Sequence, residues 1–142
     1  MEMLSEQLAL VATIDPVSQG AGTVYTDAID MAYWERVLFV LSVGVMGSSS
    51  TVDFGVCEGA TTSPTTAIGG KSITQLTDAS TDDNKQVIVE VRADELDPAN
   101  RYVRGKLTVG TAASLVSVVA LASGYHKPAS DYDLASVDEI VA

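Results

Sequence analysis

Three places in this 142-residue chain bring together side-chain types that do chemistry in other proteins. Asp82-Asp83-Asn84 sets three oxygen-bearing side chains side by side, the donor type a calcium ion takes, but without the alternate-position ligands and terminal Glu of an EF-hand loop. We read it as a solvated turn. Gly69-Gly70-Lys71-Ser72 echoes the end of a phosphate loop, yet the glycine needed five positions before Gly70 is Thr65, and no strand-loop-helix pattern surrounds it. The third place is a pair of single residues, since His126 is the only histidine and Cys57 the only cysteine. One imidazole with scattered carboxylates is not a zinc set. No serine is flanked as Gly-x-Ser-x-Gly. Cys57 has no partner for an intramolecular disulfide, and its place in the alternating run Thr51-Val52-Asp53-Phe54-Gly55-Val56-Cys57-Glu58 makes it a half-buried strand residue with a structural role. No catalytic, cofactor-binding or metal-binding residue is assigned, no cofactor is expected, and a structural or binding role is expected rather than an enzyme.

The elements that carry these residues are strands. From Arg36 to Gly124 the chain is a series of short runs of Val, Ile, Leu and Thr separated by Gly, Ser, Thr and Asp, with little helical periodicity. Gln7 to Ile14 alternates and is expected as a first strand, ended by Asp15-Pro16. Ser18 to Gly22 is a turn, Thr23-Val24-Tyr25 a second extended piece, and Arg36 to Val45 the strongest strand. That strand is apolar at both parities, which predicts a central strand covered on both faces. Gly47-Ser48-Ser49-Ser50 is expected to close a hairpin into Thr51 to Glu58, with Val52, Phe54 and Val56 toward the core. Gly59 to Gly70 reads as a long loop holding at most a short edge strand, and Ile73 and Leu76 mark a further short piece. Thr77 to Asn84 reads as an exposed loop. Gln86 to Arg92 is a strand with Val87, Val89 and Val91 on one face, Ala93 to Pro98 a helical turn or corner, and Tyr102 to Val109 and Ala113 to Ser123 the last strands, joined at Gly110-Thr111 in a hairpin. About eight or nine strands without a long helix predict an all-β fold, an antiparallel β-sandwich or jelly roll.

The segment Leu96-Asp97-Pro98-Ala99-Asn100-Arg101-Tyr102 has the Leu-x-Pro then Tyr spacing of a tyrosine corner. An inward Tyr102 would put Arg104 and Lys106 inside as well, so either a bulge follows or the spacing is accidental. Residues 1–7 are expected as an N-terminal lead-in and residues 8–124 as the sandwich. Residues 125–142, with spaced apolar Leu134, Val137, Ile140 and Val141, form a C-terminal arm, which either lies on a neighbouring subunit or packs on its own domain. Ser136 and Glu139 have capping-box spacing.

A chain of this length can bury roughly 70% of its unfolded surface as one domain. With 46% hydrophobic and 19% charged residues and a mean hydropathy of +0.23, it is apolar for a solvated monomer, which suggests a surface shared with another subunit. The formal charge of −11 disfavours nucleic acid and anionic membranes as partners. The N-terminus lacks the basic and long apolar regions of a secretory signal, and the Val37 to Val45 run is too short to span a bilayer, so a soluble product made in a cytosol is expected.

The strings Tyr25-Thr26-Asp27-Ala28-Ile29-Asp30-Met31, Trp34-Glu35-Arg36-Val37-Leu38-Phe39-Val40, Lys71-Ser72-Ile73-Thr74-Gln75-Leu76 and Arg101-Tyr102-Val103-Arg104 resemble small virion structural proteins of tailed bacteriophages, over roughly Ala21 to Ser123. The resemblance implies a head decoration, or cement, protein: a β domain on the outside of the capsid that bridges neighbouring major capsid subunits and stabilises the shell, commonly as a homotrimer. It places the chain on the virion surface after synthesis in the host cytoplasm and assigns no individual contact residue. Two other readings stand beside it, a ligand-binding or adhesion sandwich using the loops Gly59 to Gly70 and Thr77 to Asn84, and a neck or tail protein. The two loops carry no aromatic residue, which weakens the adhesion reading.

Overall fold

Ten strands and one helical turn follow one another in the computed structural model, which describes residues 1, 3–124 and 136–141. The turn, α1 (Leu4–Gln7), precedes β1 (Ala9–Gln19), β2 (Gly22–Tyr25), β3 (Ile29–Asp30), β4 (Arg36–Met46) and β5 (Thr51–Gly59). Then come β6 (Thr66–Ser72), β7 (Leu76–Thr77), β8 (Lys85–Arg92), β9 (Tyr102–Gly110) and β10 (Ser114–Ser123), with 3-10 turns at Asp78–Ser80 and Ala93–Glu95. One antiparallel sheet has the order β1-β10-β4-β8; the other has β2-β9-β5-β6, with β3 on β9 and β7 on β5. Counting β2–β3 and β6–β7 each as one interrupted strand leaves eight, ordered 1-8-3-6 and 2-7-4-5. That is the jelly-roll arrangement of two interlocked Greek keys.

The two expected hairpins are not hairpins. β4 and β5 lie in different sheets, and so do β9 and β10, so Gly47–Ser50 and Gly110–Ala113 are crossings from one sheet to the other. Local sequence does not distinguish the cases, because small residues serve a tight reversal and an arch alike. The arches are side by side. Ser50 is buried, and its hydroxyl lies 2.8 Å from the Ala112 carbonyl, 3.1 Å from that of Gly110 and 2.7 Å from Ser114 Oγ. Ser50 has one proton, which goes to a carbonyl, so the buried Ser114 hydroxyl donates to Ser50. Gly47 permits the approach: a Cβ there would sit 2.5 Å from the Ala113 carbonyl oxygen and 2.7 Å from Ala112 Cβ.

The core lies between the sheets and follows the strand alternation. Val37, Phe39, Leu41 and Val43 of β4 face Val52, Phe54 and Val56 of β5 and Val103, Leu107 and Val109 of β9, all of them buried as expected for the β5 set. Phe39 and Phe54 meet across the sheets with ring centroids 5.9 Å apart and planes tilted by 55°, within the range aromatic pairs favour. Gly105 makes room for the Phe54 ring, because a Cβ would lie 2.7 Å from its edge and 3.2 Å from Thr26 Cγ2. Thr26 prolongs the β2 ladder there, its amide donating to the Gly105 carbonyl at 3.0 Å and its hydroxyl accepting the Gly105 amide at 2.9 Å.

Other boundaries shift for physical reasons. Asp15-Pro16 does not end the first strand: β1 continues to Gln19 across a register shift between Ile14 and Val17. Its edge position lets a proline sit where no ladder donor is needed. β4 is central in its sheet but covered on one face only, for Val37, Phe39, Leu41 and Val43 are buried while Leu38 and Val40 are half-buried on the other side. A two-layer fold gives each sheet one covered face. The long loop expected to Gly70 shortens to 60–65, since Thr66 to Ser72 already pair as β6.

The arch contact predicts that Ser50→Ala, which strands buried carbonyls, lowers unfolding stability by about 1–3 kcal/mol in urea titration. Ser48→Ala, on the exposed part of the same arch, should change it by less than about 0.5 kcal/mol. Gly105→Ala should cost about 1–3 kcal/mol by overpacking, and combining it with Phe54→Leu should give a non-additive recovery in a double-mutant cycle.

Candidate functional site

None of the three polar clusters forms a reactive centre. Asp82 Oδ2 accepts the Thr77 amide at 2.9 Å and Asp83 Oδ1 accepts the Met46 amide at 2.8 Å. Asn84, at φ 57°, donates its amide to the Gly44 carbonyl at 3.0 Å. Asp78 Oδ2 takes the Ser49 amide at 2.9 Å. The Asp78 and Asp83 carboxylates and the Asn84 backbone amide pin the Thr77 to Asn84 loop to β4 and its arch, Asp82 braces the loop internally, and among the described residues no three His, Cys, Asp or Glu converge on a metal position.

Gly69, Gly70, Lys71 and Ser72 lie in the edge strand β6. Lys71 reaches across the open side of the sandwich, donating to the Glu90 carbonyl of β8 at 2.8 Å and pairing with Glu95 at 3.0 Å. Glu95 also accepts the Arg92 amide at 2.9 Å. That bond first, and Lys71 second, holds the Glu95 carboxyl below its usual range. Cys57 is buried on the far face of β5, where desolvation pushes its thiol up against the weaker opposing pull of Lys106 and Arg104. A thiol so placed is a poor nucleophile. His126 lies outside the described residues.

Tyr102 does not make a tyrosine corner. The β5–β9 register runs without a break from Thr51 opposite Gly110 to Gly59 opposite Tyr102, so no bulge intervenes. Val103, Leu107 and Val109 are inside, while Tyr102, Arg104 and Lys106 take the outer face. The corner is held instead by Glu58, 8% exposed at the end of the sandwich, which accepts the Asp97 amide at 2.9 Å.

Two outer faces remain, and they differ. On the β2-β9-β5-β6 sheet, the Arg104 guanidinium stacks 3.7 Å above the Tyr25 ring centroid, and its Nε donates to the Pro64 carbonyl at 2.7 Å. Arg101 clasps Asp30 through Nε at 2.7 Å and Nη2 at 2.6 Å, and lies 5.5 Å from the Tyr102 ring and 5.8 Å from the Tyr33 ring. Lys106 stands opposite Tyr25 in the register. Tyrosines and arginines so fixed are the residue types enriched at the energetic centres of protein interfaces. Alternation along β9 carried Arg104 and Lys106 to one face in the sequence, but the stacking of Arg104 on Tyr25, 79 residues away, left no sequence signal.

The outer face of the β1-β10-β4-β8 sheet is aliphatic. Its register places Leu10, Leu121 and Leu38 in one row ending at Glu90, and Thr13, Val119, Val40 and Ile88 in the next. Polar rows flank them, Ser123-Arg36-Arg92 on one side and Ser117-Ser42-Gln86 on the other. Ile88 is 62% exposed.

No protein-family model matches the chain, and no curated protein matches it in sequence. One solved structure it resembles is that of infectious bursal disease virus, strain Gx, at 10% identity and a TM-score of 0.42 over 87% of this chain. The match covers 33% of that viral chain, so this chain spans about a third of its length. Among the described residues no helix is long and apolar enough to cross a membrane.

The Lys71–Glu95 bridge has a pH signature. Because the folded state depresses the Glu95 pKa, its carboxylate contributes stability that is complete above the unfolded value of about 4.3 and is lost as pH falls through the lower folded value. The stability gap between wild type and Glu95→Gln should be widest near neutrality and close as the solution is acidified, read from urea midpoints at several pH values. A gap constant down to strong acid would mean that Glu95 carries no such linkage.

Proposed function

We propose that this chain is a non-enzymatic virion structural protein of the head decoration, or cement, type, which binds the outside of a major capsid shell and stabilises it. The observation that carries the reading is a rigid jelly roll with two exposed sheet faces of different chemistry, one aliphatic and one built of stacked Tyr and Arg. A subunit that joins neighbours in a shell needs two such surfaces on one stiff body. Jelly rolls occur in viral capsids, but also in lectins and cupins, so the fold alone is not the argument. The adhesion reading gains no support from the loops: the carboxylates of Thr77 to Asn84 are spent on backbone amides. The expected partners are the major capsid protein and further copies of this chain, as a homotrimer; the net charge of −11 opposes nucleic acid and anionic membranes. Many modest contacts, multiplied over a shell, suffice for its stabilisation.

The test adds the purified protein to capsid shells assembled without it. Co-sedimentation at a fixed ratio to the capsid subunit, with a raised temperature of shell disruption, is the expected outcome, and light scattering should give the mass of a trimer. A protein that stays in the supernatant at every concentration is not a decoration protein, and a larger closed ring in solution would point to the neck or tail.

A further inference from the structure

The aliphatic rows on the β1-β10-β4-β8 sheet end in a polar residue at opposite edges, Glu90 on β8 and Thr13 on β1, and it is at Thr13 that the C-terminal segment arrives. Thr13 Oγ1 donates to Asp15 Oδ1 at 3.1 Å and lies 3.1 Å from Ser136 Oγ, so with its own proton committed it accepts from the Ser136 hydroxyl. The next residue, Val137, is half-buried, whereas Asp138, Glu139 and Ile140 are exposed.

The chain path permits this. β10 ends at Ser123, with Gly124 next beside the backbone of Trp34 and Glu35, and Thr13 pairs with Val119, four residues before Ser123 on the same strand. That distance is about 13 Å at a strand's rise. The residues between Gly124 and Ser136 can span up to about 40 Å, so the segment reaches Thr13 without strain.

We propose that the Thr13 end of this aliphatic face is a docking site for the chain's own Ser136 and Val137, which form a removable partial cover over it in the free subunit. Two apolar rows on a soluble subunit form a patch of the kind that drives association when left bare. Seating Val137 on the Thr13 end shields part of it, and the acidic pair Asp138 and Glu139 turns a charged surface outward. The cover is held by one hydroxyl pair, a weak attachment that a competing surface can displace. This is independent of capsid binding, which could fail while the cover stands.

The experiment uses the full chain with Thr13→Cys and Ser136→Cys in a Cys57→Ser background. Mild oxidation should give a disulfide within one chain, seen as a loss of free thiols at monomer mass on a non-reducing gel and in the peptide map. A disulfide linking two chains would overturn the proposal in favour of a second copy's segment as occupant, and free thiols throughout would overturn docking altogether. A second variant, Val137→Asp with Ile140→Asp, alters exposed or half-buried tail positions and leaves the sandwich intact. It should raise binding of an apolar dye severalfold and make the mass by light scattering rise with concentration. Dye binding equal to wild type, or weaker self-association, would overturn the cover.

Discussion

The buried hydroxyl pair of Ser50 and Ser114 holds together the two arches on which the jelly roll depends. In this topology consecutive strands mostly alternate between sheets, so hydrogen-bonded ladders fix the strands within each sheet while the crossings fix one sheet against the other. The β4–β5 and β9–β10 crossings stand side by side, and Ser50 of the first satisfies carbonyls of the second. Their joint position sets which residues of β4 and β10 face β5 and β9. Phe39 then meets Phe54, and Gly105 leaves the space that Phe54 fills. A threonine or alanine in place of Gly47 would separate the arches, since its Cβ would collide with the neighbouring backbone.

Two layers have two covered faces and two bare ones, and the composition shows where the surplus apolar residues go. Among the described residues 23 buried apolar side chains, nearly all on strands, fill the core, and yet Leu10, Leu38, Val40, Ile88, Val119 and Leu121 are left over for one outer face. The other outer face carries three of the chain's eight basic residues, Arg101, Arg104 and Lys106, in a molecule of net charge −11. Stacking on Tyr25 and the clasp on Asp30 hold two of these guanidinium groups in fixed positions, which lowers the entropy lost when a partner engages them.

How much of this was legible in the sequence follows from the range of the interactions. Period-two alternation is local, so most of the strands, the inward set Val52, Phe54 and Val56, the corner expected over Ala93 to Pro98 and the all-β class could be read directly. Sheet membership is not local. Gly47 to Ser50 has the residues of a tight reversal, and only the pairing of Ser50 with Ser114, 64 residues on, makes it an arch. The same limit misread β4: apolar residues at both parities suggested two covered faces, where the second parity is a half-buried band on the outer face. Tyr102 misleads for the opposite reason, because a local spacing matched a motif whose inward orientation the unbroken β9 register forbids.

The sheet edges decide how such a molecule can meet another. An edge strand with free amides and carbonyls invites strand addition, and here each edge is blunted. β1 carries two register shifts and Pro16; the second sheet ends in the interrupted pairs β2–β3 and β6–β7, the latter containing Gly69-Gly70. The fourth edge, β8, is crossed by Lys71 on the Glu90 carbonyl and by Glu95 on the Arg92 amide. Strand addition would first have to break that bridge or straighten a bulge. Association through side chains on the broad faces meets no such obstacle. The surface chemistry is concentrated on those faces, the aliphatic rows on one and the Arg104–Tyr25 stack and Arg101–Asp30 clasp on the other.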